Sequence, residues 1–127
     1  MKFARFSLAA AALLFGVTGI AFWLSPRSLA AAVGIELPAS AAVIDFRATY
    51  GGFNLGVGIA LALAARSRDA VRPALVLQLL SFAGYGLARA YGIAVDGDAP
   101  SLLYWLLAIE SAGAGIAILA LRRLPAG

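Results

Sequence analysis

Four long apolar stretches occupy most of the chain, and each is long enough to cross a lipid bilayer as a helix. An α-helix rises about 1.5 Å per residue, so about 20 apolar residues cross a hydrocarbon core roughly 30 Å thick. The apolar runs cover residues 6–24, 48–65, 73–88 and 102–121. Flanking Arg and Tyr side chains reach the interface, which extends the expected spans to about 6–24, 44–65, 72–90 and 101–121. The pattern predicts an all-α integral membrane protein, a four-helix transmembrane bundle in a single domain over residues 1–127.

The composition agrees with a membrane location and excludes several kinds of chemistry. Hydrophobic residues make up 63% of the chain and charged residues 13%, whereas soluble domains contain roughly 45–50% apolar residues. The chain has no cysteine, which excludes a disulfide, a thiol nucleophile and a thiolate metal site. It has no histidine, which excludes an imidazole base and the commonest transition-metal ligand. No catalytic or nucleotide-binding motif is present, and we expect neither a metal nor a cofactor.

The basic residues indicate how the chain is oriented in a membrane. Seven of the ten lie before the first span, between the second and third, or after the fourth: Lys2, Arg5, Arg66, Arg68, Arg72, Arg122 and Arg123. The positive-inside rule therefore places both termini and the 66–72 turn in the cytoplasm, an arrangement that four spans also require. Orientation in a bacterial inner membrane accounts for the net charge of +4. The expected partner is the lipid bilayer rather than nucleic acid.

The first span has an alternative interpretation as a cleaved signal peptide. Lys2 and Arg5 form a basic start, and Ser28-Leu29-Ala30 resembles a cleavage site. The apolar run of 19 residues is longer than the roughly 7–15 residues of a signal peptide, and it ends in Phe22-Trp23-Leu24, which is typical of an interfacial anchor. We therefore expect a retained span; cleavage would leave three spans with termini on opposite sides.

Both predicted outer loops carry local structural signals. Between the first two spans, Pro26 begins and Gly34 ends a short apolar segment, which predicts an interfacial helix on the outer surface. Residues 91–100 form the second predicted outer loop, in which Asp96 and Gly97 begin a turn.

Polar and small residues recur at helical spacing within the spans. One face of the second span holds Arg47, Gly51, Asn54 and Gly58, and one face of the third holds Gln78, Ser81, Tyr85 and Arg89. Because hydrocarbon offers polar groups no partners, these faces are expected to converge on the bundle axis, with Thr18 of the first span and Glu110 of the fourth.

Close helix packing is the plainest interpretation of the small residues. Glycines let two backbones approach, and Gly52-x-x-x-Gly56 matches the pattern of close-packed transmembrane helices. The glycines expected to pack between helices are Gly51, Gly52, Gly56, Gly58 and Gly113.

Glu110 is the strongest candidate for a functional role, because a carboxyl near the middle of the bilayer is costly. It is either protonated and hydrogen-bonded, or paired with Arg47 or Arg89. These arginines lie near the outer interface and can turn outward to acidic loop residues and lipid phosphate or inward to Glu110. The inward arrangement predicts an outward-facing polar cavity that binds a ligand through Arg47, Tyr50, Asn54, Tyr85, Arg89 and Glu110.

Several of these residues together resemble a known family. They are the run Asp45-Phe-Arg-Ala-Thr-Tyr-Gly-Gly-Phe-Asn-Leu-Gly56, then Arg89, Asp96-Gly97 and Glu110. The chain is similar to the bacterial four-span membrane proteins catalogued as domain of unknown function 4345. The turn Asp96-Gly-Asp-Ala-Pro100 is one residue longer than that family's pattern. The resemblance implies a retained first span and a shared outer-rim constellation, and it implies no activity.

Four functions remain open at this point. The leading hypothesis is a binding or accessory protein whose polar cavity holds a lipophilic molecule or lipid, or docks another membrane protein. The alternatives are a purely structural bundle, a membrane enzyme that uses Glu110 on a lipophilic substrate, and a transporter. A transporter would require a homo-oligomer, because four spans are too few for most alternating-access repeats.

Overall fold

The structure is a computed structural model that describes residues 1–125. Within these residues, every element of regular secondary structure is helical. Three helices are long and apolar enough to cross a membrane: α1 (Lys2–Leu24), α5 (Val71–Asp96) and α6 (Ser101–Arg122). They correspond to the first, third and fourth predicted spans.

The second predicted span is a helix made of three consecutive segments. It begins as α3 (Ser40–Phe46), continues as a π-helical segment (Arg47–Gly52) and ends as α4 (Phe53–Ala64). Phe46 and Gly52, which precede the two junctions, both have right-handed helical φ and ψ angles. Each segment alone is too short to cross a bilayer, but the helical backbone is continuous through both junctions.

The loop between α5 and α6 is shorter than predicted. Residues 91–100 were expected to form a loop, but α5 continues to Asp96, and only residues 97–100 separate it from α6. Between Arg89 and Asp96 the chain contains one glycine, Gly92, and no proline. One glycine costs a helix only about 1 kcal/mol. Gly97 ends the helix with a φ of +66°.

A short helix, α2 (Pro26–Ala32), follows α1 and starts at the predicted proline. It ends in a Schellman motif, in which Ile35 N–H donates to the carbonyl of Ala30 and Gly34 adopts a φ of +81°. Ala30 then packs with Leu37 and Val43 in a small apolar cluster. This cluster ties the segment after α2 to the start of α3.

The helices pack as two closely associated pairs. α1 lies along the π-helical segment and α4, and α5 lies along α6. Contacts from α1 to α5 and α6 join the pairs, and a core of small and aliphatic side chains fills the end that holds the chain's N-terminus. Leu8, Leu61 and Leu75 are fully buried there.

The contact of α1 with the π-helical segment and α4 depends on glycines. A Cβ atom on Gly19 would lie 2.5 Å from the backbone nitrogen of Leu55, and one on Gly58 would lie 2.8 Å from that of Gly16. Gly51 is almost as close to the backbone of Trp23. On the other pair of helices, a Cβ on Gly113 would meet the Phe82 ring at 2.7 Å.

The predicted packing of Gly52 and Gly56 between helices is not what the structure shows. Nothing lies within 4 Å of a Cβ built on Gly56, and a Cβ on Gly52 would meet only the Trp23 ring, at 3.8 Å. The face that contacts α1 runs through Gly51, Leu55 and Gly58, whose i, i+4, i+7 spacing makes one helical stripe. Gly52 and Gly56 lie one residue further around the helix and fall outside this stripe.

The predicted cytoplasmic segments lie at one end of the molecule. Arg72 Nη2 donates a 3.1 Å hydrogen bond to the carbonyl of Pro125. The Arg123 guanidinium lies 4.9 Å from the centre of the Phe3 ring. The 66–72 turn and both ends of the described chain are therefore neighbours, which brings the seven basic residues of these segments to the same end.

Candidate functional site

A cavity of about 440 Å³ lies between the helices, toward the end opposite the basic residues. Most of its wall is aliphatic or aromatic, with contributions from α1, the segment after α2, α5 and α6. Five of the six predicted ligand-binding residues line it: Tyr50, Asn54, Tyr85, Arg89 and Glu110. Thr18, which was expected on the bundle axis, also lines it. The structure thus brings polar side chains from four sequence-distant helical regions together.

The two charged residues of the cavity wall form an ion pair. Arg89 Nη2 lies 2.7 Å from Glu110 Oε1, and Arg89 Nε donates to Oε2 at 2.9 Å and to Oε1 at 3.2 Å. Both carboxylate oxygens therefore accept hydrogen bonds from one guanidinium, the strongest common arrangement of this pair. Glu110 is only 8% exposed. Glu110 was predicted to be either protonated or paired with Arg47 or Arg89. In the structure it is paired with Arg89, which turns inward.

α5 and α6 lie close together where the ion pair forms. Gly86 lies one turn before Arg89, and a Cβ on it would meet the Cβ of Glu110 at 3.5 Å. This separation is an ordinary van der Waals contact, and at this distance between the helices the two side chains reach each other. The buried charges then satisfy one another, as buried ionic groups must.

A second polar chain runs along the cavity wall beside the ion pair. The Tyr85 hydroxyl donates to Asn54 Oδ1 at 3.4 Å, and Asn54 Nδ2 donates to the backbone carbonyl of Tyr50 at 2.7 Å. The Tyr50 ring stacks at a tilt between Phe22 and Phe46, with ring centroids 5.2 and 4.7 Å away. Tyr50 lies within the π-helical segment, and π-helical turns are frequent at functional sites.

Arg47 does not line the cavity. Its Nε atom donates a 2.7 Å hydrogen bond to the backbone carbonyl of Trp23, at the C-terminal end of α1. Carbonyls in the last turn of a helix lack intrahelical donors, and a cation there also interacts favourably with the helix dipole. Arg47 therefore joins the π-helical segment to α1 and is not a partner of Glu110.

The remaining predicted residues lie outside the cavity. Asp96 and Gly97 end α5, where both are exposed. Gln78 is 2% exposed and belongs to a separate polar contact, in which it exchanges hydrogen bonds of 3.0 and 3.1 Å with Ser7 and donates to the carbonyl of Gly113 at 3.3 Å. This contact joins α1, α5 and α6 in the half of the molecule nearer the basic end.

The apolar side of the cavity was not predicted from the sequence. Val33 and Ile35, from the segment after α2, and Leu103 and Leu106, from α6, form parts of its wall. No signal in the sequence distinguishes these residues from other aliphatic residues of an apolar chain. A shallow groove of about 480 Å³ lies on the other side of Tyr85, between α4 and α5.

No cluster of three or more Asp, Glu, His or Cys residues suited to a metal ion occurs among residues 1–125. Each buried side-chain nitrogen or oxygen in this part of the chain has a hydrogen-bond partner. The cavity-lining polar atoms that lack a protein partner are therefore not fully buried.

The family assignment rests on nearly the whole helical region. Residues 3–121 match the family described as "Domain of unknown function (DUF4345)". The chain belongs to this family. The match extends from the start of α1 almost to the end of α6, and it confirms the resemblance drawn from the sequence. No curated protein and no solved structure matches the chain. The DUF4345 assignment carries no activity, so the function has to be argued from the cavity.

Proposed function

We propose that this protein is a four-span protein of the bacterial inner membrane that binds a lipophilic small molecule or lipid in the cavity beside Arg89 and Glu110. The observation that supports this proposal is the cavity itself. It has a volume of about 440 Å³, mainly apolar walls and a cluster of polar groups at one side. Ligand sites in proteins have this size and this distribution of polar groups.

The proposed orientation has the N-terminal end of α1, the 66–72 turn and the end of α6 in the cytoplasm. Seven of the ten basic residues belong to these segments, and the contacts of Arg72 and Arg123 support their location at one end of the molecule. In this orientation the segments from α3 to α4 form the second span. The cavity then opens toward the periplasmic side, and α2 lies along that surface.

The ion pair favours binding over proton-transfer chemistry. A general acid must carry a proton, whereas Glu110 accepts hydrogen bonds on both oxygens from a guanidinium. An enzyme that used Glu110 as a proton donor would first have to separate this pair. A purely structural role explains the ion pair but does not explain the volume left open beside it, because helix bundles that only pack fill such space.

The proposal is tested by asking what co-purifies with the protein. The chain is purified in a mild detergent, and bound lipophiles are extracted and quantified by mass spectrometry. We expect a near-stoichiometric lipophile with the wild type. Leu103→Trp, which fills the cavity, should lose it, whereas Leu102→Trp, the neighbouring exposed position outside the cavity, should keep it. Equal lipophile content in both folded variants would refute a site in this cavity.

A further inference from the structure

The charge of the cavity is already balanced within the protein. Arg89 and Glu110 are the only charged side chains among its described lining residues, and they pair with each other. A guest therefore meets a wall with no net charge. An ionised guest would also lose its hydration in an apolar space without gaining an unpaired counter-charge.

The ion pair leaves hydrogen-bond donors for a guest, while its acceptor oxygens are already occupied. Glu110 already accepts three N–H···O contacts from Arg89, which involve Nε and Nη2. A guanidinium carries five N–H groups, so N–H groups on Nη1 and one on Nη2 remain for a guest. Tyr50 and Thr18 also line the cavity, and the hydroxyl of each can donate one hydrogen bond as well as accept.

We propose that the cavity selects an uncharged lipophile whose polar end is a hydrogen-bond acceptor, such as the carbonyl of an ester or a ketone. This inference rests on the proposed binding function and specifies the class of its ligand. A carboxylate guest would compete with Glu110 for Arg89, and an ammonium guest would compete with Arg89 for Glu110. A neutral carbonyl accepts a hydrogen bond from the guanidinium without breaking the ion pair.

Three probes with the same dodecyl-length chain test this proposal: methyl laurate, laurate and dodecylammonium. Wild-type protein in nanodiscs of zwitterionic lipid is equilibrated with each probe, and retained probe is quantified and corrected with protein-free nanodiscs. We expect methyl laurate to be retained with an affinity about tenfold higher than either ion, the ratio that one charge-assisted hydrogen bond provides. Leu103→Trp should abolish retention of the ester.

Charge variants of the ion pair extend the test by reversing the selectivity. Glu110→Gln leaves an unpaired guanidinium and should raise laurate affinity about tenfold, and Arg89→Gln should do the same for dodecylammonium. The double variant Arg89→Gln with Glu110→Gln has no charge and should still prefer the ester, so the proposal remains testable if the single variants fail to fold.

The outcomes separate this inference from the proposed function. Laurate or dodecylammonium retained by the wild type as tightly as the ester would overturn the neutral-ligand inference and leave the binding function standing. Retention of no probe above the protein-free nanodiscs would overturn the binding function and this inference with it. A double variant that loses its preference for the ester would also contradict the inference.

Discussion

Two glycines on one helix should respond in opposite ways to the same small substitution. Gly58 and Gly56 both lie in α4, two residues apart. A Cβ on Gly58 would meet the backbone nitrogen of Gly16 at 2.8 Å and the carbonyl oxygen of Ala12 at 3.0 Å, whereas a Cβ on Gly56 would meet nothing within 4 Å. Gly58→Ala therefore adds a methyl group inside a helix contact, and Gly56→Ala adds the same group outside it.

The expected difference in unfolding free energy between the two variants follows from two opposing effects. Replacing glycine by alanine in a helix stabilises the fold by about 0.5–1 kcal/mol, because alanine has less conformational freedom to lose. At Gly58 the methyl group presses on backbone atoms, which no change of side-chain rotamer relieves, and overpacking of this kind costs about 1–3 kcal/mol. We expect Gly58→Ala to unfold with a free energy about 2 kcal/mol lower than that of Gly56→Ala.

Reversible unfolding of the purified protein in mixed micelles with increasing dodecyl sulfate measures this difference by circular dichroism. Gly19→Ala provides a second test from the opposite helix, where a Cβ would lie 2.5 Å from the backbone nitrogen of Leu55. Gly16→Ala is its control, because a Cβ there meets nothing within 4 Å. Equal unfolding free energies within each pair would show that α1 and α4 do not make this contact.

Three further predictions concern the ion pair, the orientation and the second polar contact. Glu110→Gln should lower the free energy of unfolding by about 3 kcal/mol, because Arg89 loses a buried partner. Adding Arg89→Gln to this variant should restore most of the loss. Strictly additive losses of the two changes in the same unfolding assay would contradict the pairing. Reporter fusions within residues 66–72 should report the cytoplasm and those within 97–99 the periplasm, and the opposite pattern would overturn the proposed orientation. Gln78→Leu should cost about 1–3 kcal/mol, because its buried partners lose their hydrogen bonds; wild-type unfolding of this variant would argue against that contact.

The sequence alone predicted the helices well, because each one follows directly from a long apolar run. Three of the four runs agree with helices long enough to cross a membrane, and Glu110 was identified because hydrocarbon provides no partner for a carboxyl. The choice between Arg47 and Arg89 as its partner was not available from the sequence. Both arginines lie at similar distances from mid-depth, and only the packing of α5 against α6 decides between them.

The error at Gly56 has a related physical cause. A Gly-x-x-x-Gly pattern identifies a face of small residues on a helix but does not say whether another helix lies on that face. The residues that do contact α1, Gly51 and Gly58, also share one face at helical spacing. The sequence offers both small-residue faces, and only the packing shows that α1 lies on the face of Gly51 and Gly58.

The cavity was the least predictable feature, because its apolar wall comes from residues that only the fold brings together. Ile35 reaches the wall because the Schellman motif at Gly34 turns the chain back after α2. That turn has a sequence signal in Gly34, but the destination of the following residue depends on long-range packing against α3.

The π-helical segment explains how one helix both packs closely against α1 and leaves open space beside it. On one face, Gly51 lies against the backbone of Trp23, and Arg47 bonds the carbonyl of the same residue. On the other face, Tyr50 and Asn54 line the cavity, and the Asn54 side chain donates to the Tyr50 carbonyl, which lies where the wider register disturbs the normal ladder. Because both faces belong to about two turns of the same helix, the contact with α1 also holds the cavity's polar side chains in place. The position of these side chains is therefore coupled to the stability of the contact between this helix and α1.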